Sequence, residues 1–241
     1  MAGIIKEALE YITGLREPHR ENIYGYEYSD KQLFPIIHNP LARPIEINTL
    51  TGLLDYISSN TDALSKKMIV HVVNPETVEL YSCLDEERCR EQFAIVKAKI
   101  PCFRYENYME HEQFCIALQA KFIDDVTSDK DTVLKFAGTV EDGTVAQYGD
   151  DGVTQKATVK TGIASKSDAL IPNPVTLRPY RTFLEVEQPM SEFIFRMRSG
   201  HGVECALFEA DGGAWENEAM QSIKAYLCEK LKDNKQFIVI A

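Results

Sequence analysis

Apolar and polar positions alternate most regularly between Val175 and Gly200, where Phe193, Phe195 and Met197 share one parity and Ile194, Arg196 and Arg198 the other. A period of two predicts a half-buried strand, and the Gln188-Pro189 step divides the stretch into two β-rich segments. Further segments with β pattern run from Thr144 to Tyr148, from Val153 to Ile163 across the Gly149-Asp150-Asp151-Gly152 turn, and from Val203 to Glu209. Short turns make sequential strands neighbours, so these segments are expected to form one continuous antiparallel sheet containing Phe183, Phe195 and Leu207.

Earlier in the chain, Met68–Val73 and Thr77–Tyr81 predict a hairpin turned by Asn74-Pro75-Glu76, because Asn and Pro are turn formers. A third strand spans Gln92 to Ile100 and a short one Ile45 to Asn48, while Phe237 to Ile240 reads as a closing strand. Helical spacing appears at Leu50, Leu53, Leu54 and Ile57, and again at Phe114, Leu118 and Phe122, a row expected to cover the preceding sheet. A short helix through Val133 to Ala137 follows Ser128 and Asp131, which resemble a capping box, and a last one carries Trp215, Ala219, Ile223, Leu227 and Leu231 on one face. Met1 to Leu15 reads as an amphipathic helix; it lacks the basic start and unbroken apolar core of a signal peptide. The aromatic run Ile23 to Tyr28 and the apolar run Leu33 to Ile37, with Pro35, Pro40 and Pro44 nearby, read as extended or looped. Together these elements predict an α+β fold, a largely antiparallel β-sheet flanked by helices. The acidic connection Asp124 to Asp131 is the best internal boundary, dividing 1–126 as an N-terminal α/β half from 127–241 as a β-rich half, unless the chain is one continuous domain.

Charge narrows the function classes. The chain of 241 residues has a formal net charge of -11, which disfavours an extended nucleic-acid surface, since phosphate binding needs clustered Lys and Arg. No run reaches the roughly 18 apolar residues of a membrane span, so a cytoplasmic location is expected. The six cysteines show no C-x-x-C pairing and are expected to be buried thiols rather than a zinc site.

No nucleophile elbow, P-loop, dinucleotide fingerprint or H-E-x-x-H helix occurs, so no catalytic residue, metal or cofactor is assigned. His111 sits between Glu110 and Glu112, but adjacent helical residues point to different faces. Asp124, Asp125, Asp129 and Asp131 lack a calcium-loop spacing and read as a solvated loop. The arginines carry the strongest lead. Arg178 and Arg181 are expected on opposite strand faces and Arg196 and Arg198 on one, and a same-face pair can clamp a phosphate or carboxylate. Arg178, Tyr180, Arg181, Arg196, Arg198 and His201, between Gly200 and Gly202, are the candidate ligand residues. Cross-strand pairing of the arginines with Glu185, Glu187 or Glu192, and a plain hairpin turn at the glycines, are the structural alternatives.

Tyr148 to Gln155, Val159 to Gly162, Leu177 to Phe183, Glu187-Gln188-Pro189 and Phe193 to Arg196 resemble the YfdQ-like family of bacteriophage and prophage proteins of unknown function. The resemblance covers roughly the C-terminal half and implies a viral product acting in a bacterial cytoplasm; the family brings no activity to carry over. The expected function is that of a non-catalytic accessory protein binding a host or viral macromolecule, in phage DNA metabolism or counter-defence. A host or phage protein is the expected partner, and oligomerisation is left open. Rival readings are an anion or nucleotide sponge built on the arginine ribbon, and an enzyme acting on nucleotides or nucleic acid.

Overall fold

The computed structural model describes residues 11, 13, 14, 18–32, 41–64, 66–85, 88–145, 155–160, 166–199 and 202–241. Most of the expected first helix, the 33–37 run, the 149–152 turn and His201 lie outside them. Residues 1–41 and 42–241 form two compact units.

In the first unit, β1 (Arg20–Ile23) and β2 (Tyr26–Ser29) pair antiparallel, with Ile23 opposite Tyr26 and Glu21 opposite Tyr28. Tyr24 (φ 55°) and Gly25 (φ 84°) make the turn, the doubly left-handed pattern that matches strand twist in a two-residue hairpin. Gly25 adopts it without steric cost; Tyr24 does so against the clash of its own Cβ. The Asn22 side chain steadies the turn by accepting from the Gly25 N–H at 3.0 Å.

The second unit holds, in chain order, β3 (Ile45–Ile47), α1 (Leu50–Ser59), β4 (Met68–Asn74), β5 (Thr77–Ser82), β6 (Gln92–Lys97), β7 (Met109–Glu110), α2 (His111–Lys121) and α3 (Lys130–Thr139). There follow β8 (Val140–Val145), β9 (Gln155–Lys160), β10 (Lys166–Ile171), β11 (Val175–Leu177), β12 (Ser191–Ser199), β13 (Val203–Glu209), α4 (Ala214–Lys230) and β14 (Phe237–Ile240). The class is α+β with sheets dominated by antiparallel pairing.

One sheet runs β14-β4-β5-β6-β3, antiparallel through β4-β5-β6 and parallel at both edges. Its inward residues Val70, Leu80, Ala94 and Val96 share a core with Leu50, Leu53 and Ile57 of α1 and Ile223 and Leu227 of α4. The start of α1 is fixed by Thr49, whose hydroxyl accepts from the Gly52 N–H at 3.0 Å, and its end by Asn60 in the left-handed region. A second sheet runs β11-β12-β13-β7. Its inward Phe193, Phe195, Met197 and Leu207 pack on Phe114 and Leu118 of α2 and Val133 and Ala137 of α3.

Three expectations are corrected here. The β-patterned segments do not make one sheet: β8, β9 and β10 form a three-stranded meander of their own, while β11 to β13 belong to the second sheet. Pro172 and Pro174 stand between β10 and β11, and proline, lacking an N–H, does not continue a ladder. Phe183 lies in no strand and fills the core of the five-stranded sheet. Helix α2 covers not the preceding sheet but the second one, because β7 docks on β13 immediately before it, Met109 against Cys205. Ser128 does not cap α3; its hydroxyl donates to the Asp125 carbonyl at 2.9 Å, while the Asp129 carbonyl accepts the first turn's bond from the Val133 N–H.

The cysteines also divide. Cys205 is buried, and burial pushes its thiol far up, whereas Cys89, Cys102 and Cys228 are exposed and Cys83 and Cys115 are half-buried. Cys228 follows the core residue Leu227 on α4, about 100° around a 3.6-residue helix, and so points away from the core. A thiol reagent should therefore label Cys89, Cys102 and Cys228 rapidly in the native protein and Cys205 only after denaturation. Native labelling of Cys205 at the rate of Cys228 would contradict the packing.

Candidate functional site

The arginine ribbon is not a continuous strand pair. β11 ends at Leu177, and Pro179 forms a bridge with Phe122 at the end of α2. Around it the Ile123 N–H donates to the Arg178 carbonyl at 2.8 Å, and the Tyr180 N–H to the Lys121 carbonyl at 3.0 Å. Tyr180 is thus placed by its backbone. Arg178 and Arg181 consequently do not sit on opposite faces of a strand, which corrects the parity argument: it fails where Pro179 ends the ladder.

Beyond Tyr180 the chain makes a loop closed by one side chain. Gln188, buried, accepts from the N–H groups of Arg181 (2.8 Å) and Thr182 (3.1 Å) and donates to the Phe183 carbonyl at 2.9 Å. An amide carries both donor and acceptor, so it supplies the partners that a strand neighbour would have given. The Thr182 hydroxyl donates to the Pro75 carbonyl at 2.5 Å, and Glu185 accepts from the Thr51 N–H at 3.1 Å in the first turn of α1. This loop ties the two cores together and aims Arg181 inward.

Three arginines of the ribbon, Arg178, Arg181 and Arg198, each meet a carboxylate. Arg178 Nη1 lies 3.1 Å from Glu187 and 3.2 Å from Asp125. Arg198 Nε meets Glu204, its cross-strand neighbour, at 2.5 Å, with its guanidinium carbon 4.0 Å from the centre of the Tyr108 ring. Arg196 shares the outward face of β12 with Arg198, opposite Ala206. Of the expected partners Glu187 is engaged by an arginine; Glu185 instead caps α1, and Glu204 and Glu209 take roles assigned to none in the sequence reading.

Arg181 differs in kind. Its side chain is only 5% exposed, with Nη1 2.8 Å from Glu209 Oε1. The guanidinium carbon lies 5.4, 5.0 and 4.5 Å from the ring centres of Tyr105, Phe193 and Trp215. Burial disfavours its charge, while Tyr105, Glu209 and Asp211 act to retain it. The Tyr105 hydroxyl is itself pushed up to about 12, mainly by burial, with Arg181 acting against the shift. Nε and Nη2 of Arg181, and Nε1 of Trp215, are buried without a hydrogen-bond partner among the described residues. Arg178 and Arg181 therefore meet different carboxylates, Asp125 and Glu187 for the first and Glu209 for the second, while Arg196 and Arg198 lie on the outward face of β12.

The acidic connection is more than a solvated loop. Asp125 accepts from the Thr127 N–H (2.8 Å) and hydroxyl (2.7 Å), and Asp129 accepts from the Thr176 N–H at 2.8 Å, fastening the start of α3 to β11. The Thr127 N–H and hydroxyl, with Arg178 beside them, hold the Asp125 carboxyl below its usual range. Its stabilising share is present above the unfolded carboxylate range and is lost as pH falls through the depressed folded value. Asp125→Asn should therefore flatten the acid limb of a stability–pH curve while leaving its neutral-to-basic slope unaltered; an unchanged acid limb would refute the linkage.

Among the described residues no group of His, Cys, Asp or Glu is arranged to hold a metal ion, and no helix is long and apolar enough to cross a membrane. No family model, curated protein or solved structure matches the chain.

Proposed function

We propose that the chain is a non-catalytic phage or prophage accessory protein that binds a host or viral protein. The observation that carries the reading is the hairpin of the first unit. Tyr24, Tyr26 and Tyr28 are 97%, 71% and 53% exposed, and Ile23 is 44% exposed. Tyr26, Tyr28 and Ile23 share one face by register. Tyrosine gives large contact area at low entropic cost and is enriched in protein interfaces. A tyrosine held at positive φ at the tip is a strained choice where Asn or Gly would be relaxed. The phage context rests on the resemblance of the C-terminal segments to the YfdQ-like family. A protein partner is favoured over nucleic acid by the net charge of -11 and by Glu21, Glu27 and Asp30 on the hairpin itself.

The test is capture from lysogenic or infected bacteria, followed by reconstitution with the purified captured protein. Wild type is expected to retain one protein stoichiometrically, and the triple variant Tyr24→Ser, Tyr26→Ser, Tyr28→Ser to lose it with its Tm unchanged. Equal retention by both would refute the hairpin as the contact, and retention of nucleic acid alone would refute the reading itself.

A further inference from the structure

We infer that the tyrosine face of the β1–β2 hairpin receives an arginine side chain of its protein partner, stacked on the rings and paired with Glu21. The inference rests on the reading of the hairpin as the contact surface and adds what the partner must present. It starts from the register. Ile23 lies opposite Tyr26 and Glu21 opposite Tyr28, and directly opposed residues of a ladder share a face. One face therefore carries Ile23, Tyr26, Tyr28 and a single carboxylate. The other carries Arg20 opposite Ser29 and Asn22 opposite Glu27.

This partition decides the charge of the ligand. Arg20, the cation of the two strands, stands on the far face and is not placed over the tyrosine rings. Glu21 meets His19, whose Nε2 is 3.6 Å from Oε1, with the two side chains 73% and 64% exposed. So long a contact between two solvated groups leaves the carboxylate with acceptor capacity to spare. An aromatic face with such a carboxylate complements a cation, and the chain's net charge of -11 adds attraction for a basic partner. Shape then selects among cations. Tyr26 and Tyr28 stand two residues apart on one strand, about 7 Å, and Glu21 is about 5 Å across the ladder from Tyr28. A planar guanidinium can lie flat on a tyrosine ring and turn one edge, with two parallel N–H bonds, to the carboxylate. A lysine ammonium is a compact, strongly hydrated point charge that has no plane to stack. Stacking of this kind needs an open ring face, and Tyr26 and Tyr28 are both exposed.

The test uses the full chain and the peptide acetyl-Gly-Arg-Gly-amide, with lysine and citrulline in place of arginine as parallel arms. Ring-proton resonances of Tyr26 and Tyr28, assigned through Tyr26→Phe and Tyr28→Phe, are followed at low ionic strength. The arginine peptide should shift both rings saturably and bind about tenfold more tightly than the citrulline peptide, which keeps the plane and loses the charge. Lysine should fall between them. Glu21→Gln should abolish the preference for arginine over citrulline, whereas Arg20→Ala, on the far face, should keep it. No saturable shift with arginine, equal binding of citrulline, or a preference that survives Glu21→Gln would overturn the inference. The partner captured from bacteria separates the two readings. A partner lost by the triple tyrosine variant but held equally by wild type and Glu21→Gln would sink the arginine assignment and leave the hairpin as the contact. Equal retention by all three proteins would sink the hairpin reading and this inference with it.

Discussion

Arg181→Ala should lower the free energy of unfolding by about 3 kcal/mol, the lower end of what breaking a buried ion pair removes. The lower end applies because Glu209, left behind, has a side chain 36% exposed and can be rehydrated. The rest of the loss is packing. Tyr105, Phe193 and Trp215 all face the guanidinium within 5.4 Å, so truncation opens a space lined by three rings and forfeits their attraction for the cation. Urea unfolding is the measurement: the midpoint should fall with the slope unchanged, which separates lost stability from a changed denatured state. Arg198→Ala is the internal control. Its pair with Glu204 lies on an exposed face, its own side chain 55% exposed, and exposed pairs contribute about 1 kcal/mol or less. Equal midpoints for the two variants would show that Arg181 is not a packing residue.

That contrast was not readable from the chain. Parity put Arg196 and Arg198 on one face correctly, because β12 is regular over nine residues and its inward positions Phe193, Phe195 and Met197 are all fully buried. The same rule misplaced Arg178 and Arg181, because it holds only while a ladder continues, and Pro179 stops it. Periodicity also located α1, the β4–β5 hairpin, β13 and α4, each carrying its own apolar face. It missed β10, whose Lys166-Ser167-Asp168-Ala169-Leu170-Ile171 has no alternation to detect. The surroundings of Arg181 are out of reach for a different reason. Tyr105, Glu209 and Trp215 come from three elements, brought together only after the loop 181–188 is closed by the Gln188 side chain. Side-chain closure of an irregular loop leaves no period in a sequence. The exposure of Cys228 runs against the expectation of buried thiols, although counting helical spacing from Ile223 and Leu227 turns it off the core face.

Phe195→Ala should be among the most damaging single truncations, lowering stability by about 3–5 kcal/mol as buried Phe-to-Ala changes do. Phe195 is fully buried on β12, one of the two inner strands of the second sheet. Its ring stacks on Phe114 of α2 at 5.5 Å with 20° between planes, so it joins the sheet to the helix that covers it. Its backbone is held as well. The Asn173 side chain accepts from the Phe195 N–H at 2.7 Å and donates to its carbonyl at 2.9 Å, doing the work of one more residue pair beyond the end of β11. A truncated ring therefore leaves a void that a pinned strand cannot close, and poor relaxation is what carries such losses toward the upper end. The neighbouring residue supplies the comparison, since Ile194 points outward and is 38% exposed. Ile194→Ala should cost about 0.5 kcal/mol or less. Measured in urea, the two variants should be separated by several-fold in their loss of stability. Comparable losses at positions 194 and 195 would mean that β12 does not present alternate residues to the core, and the assignment of both cores around the arginine loop would fall with it.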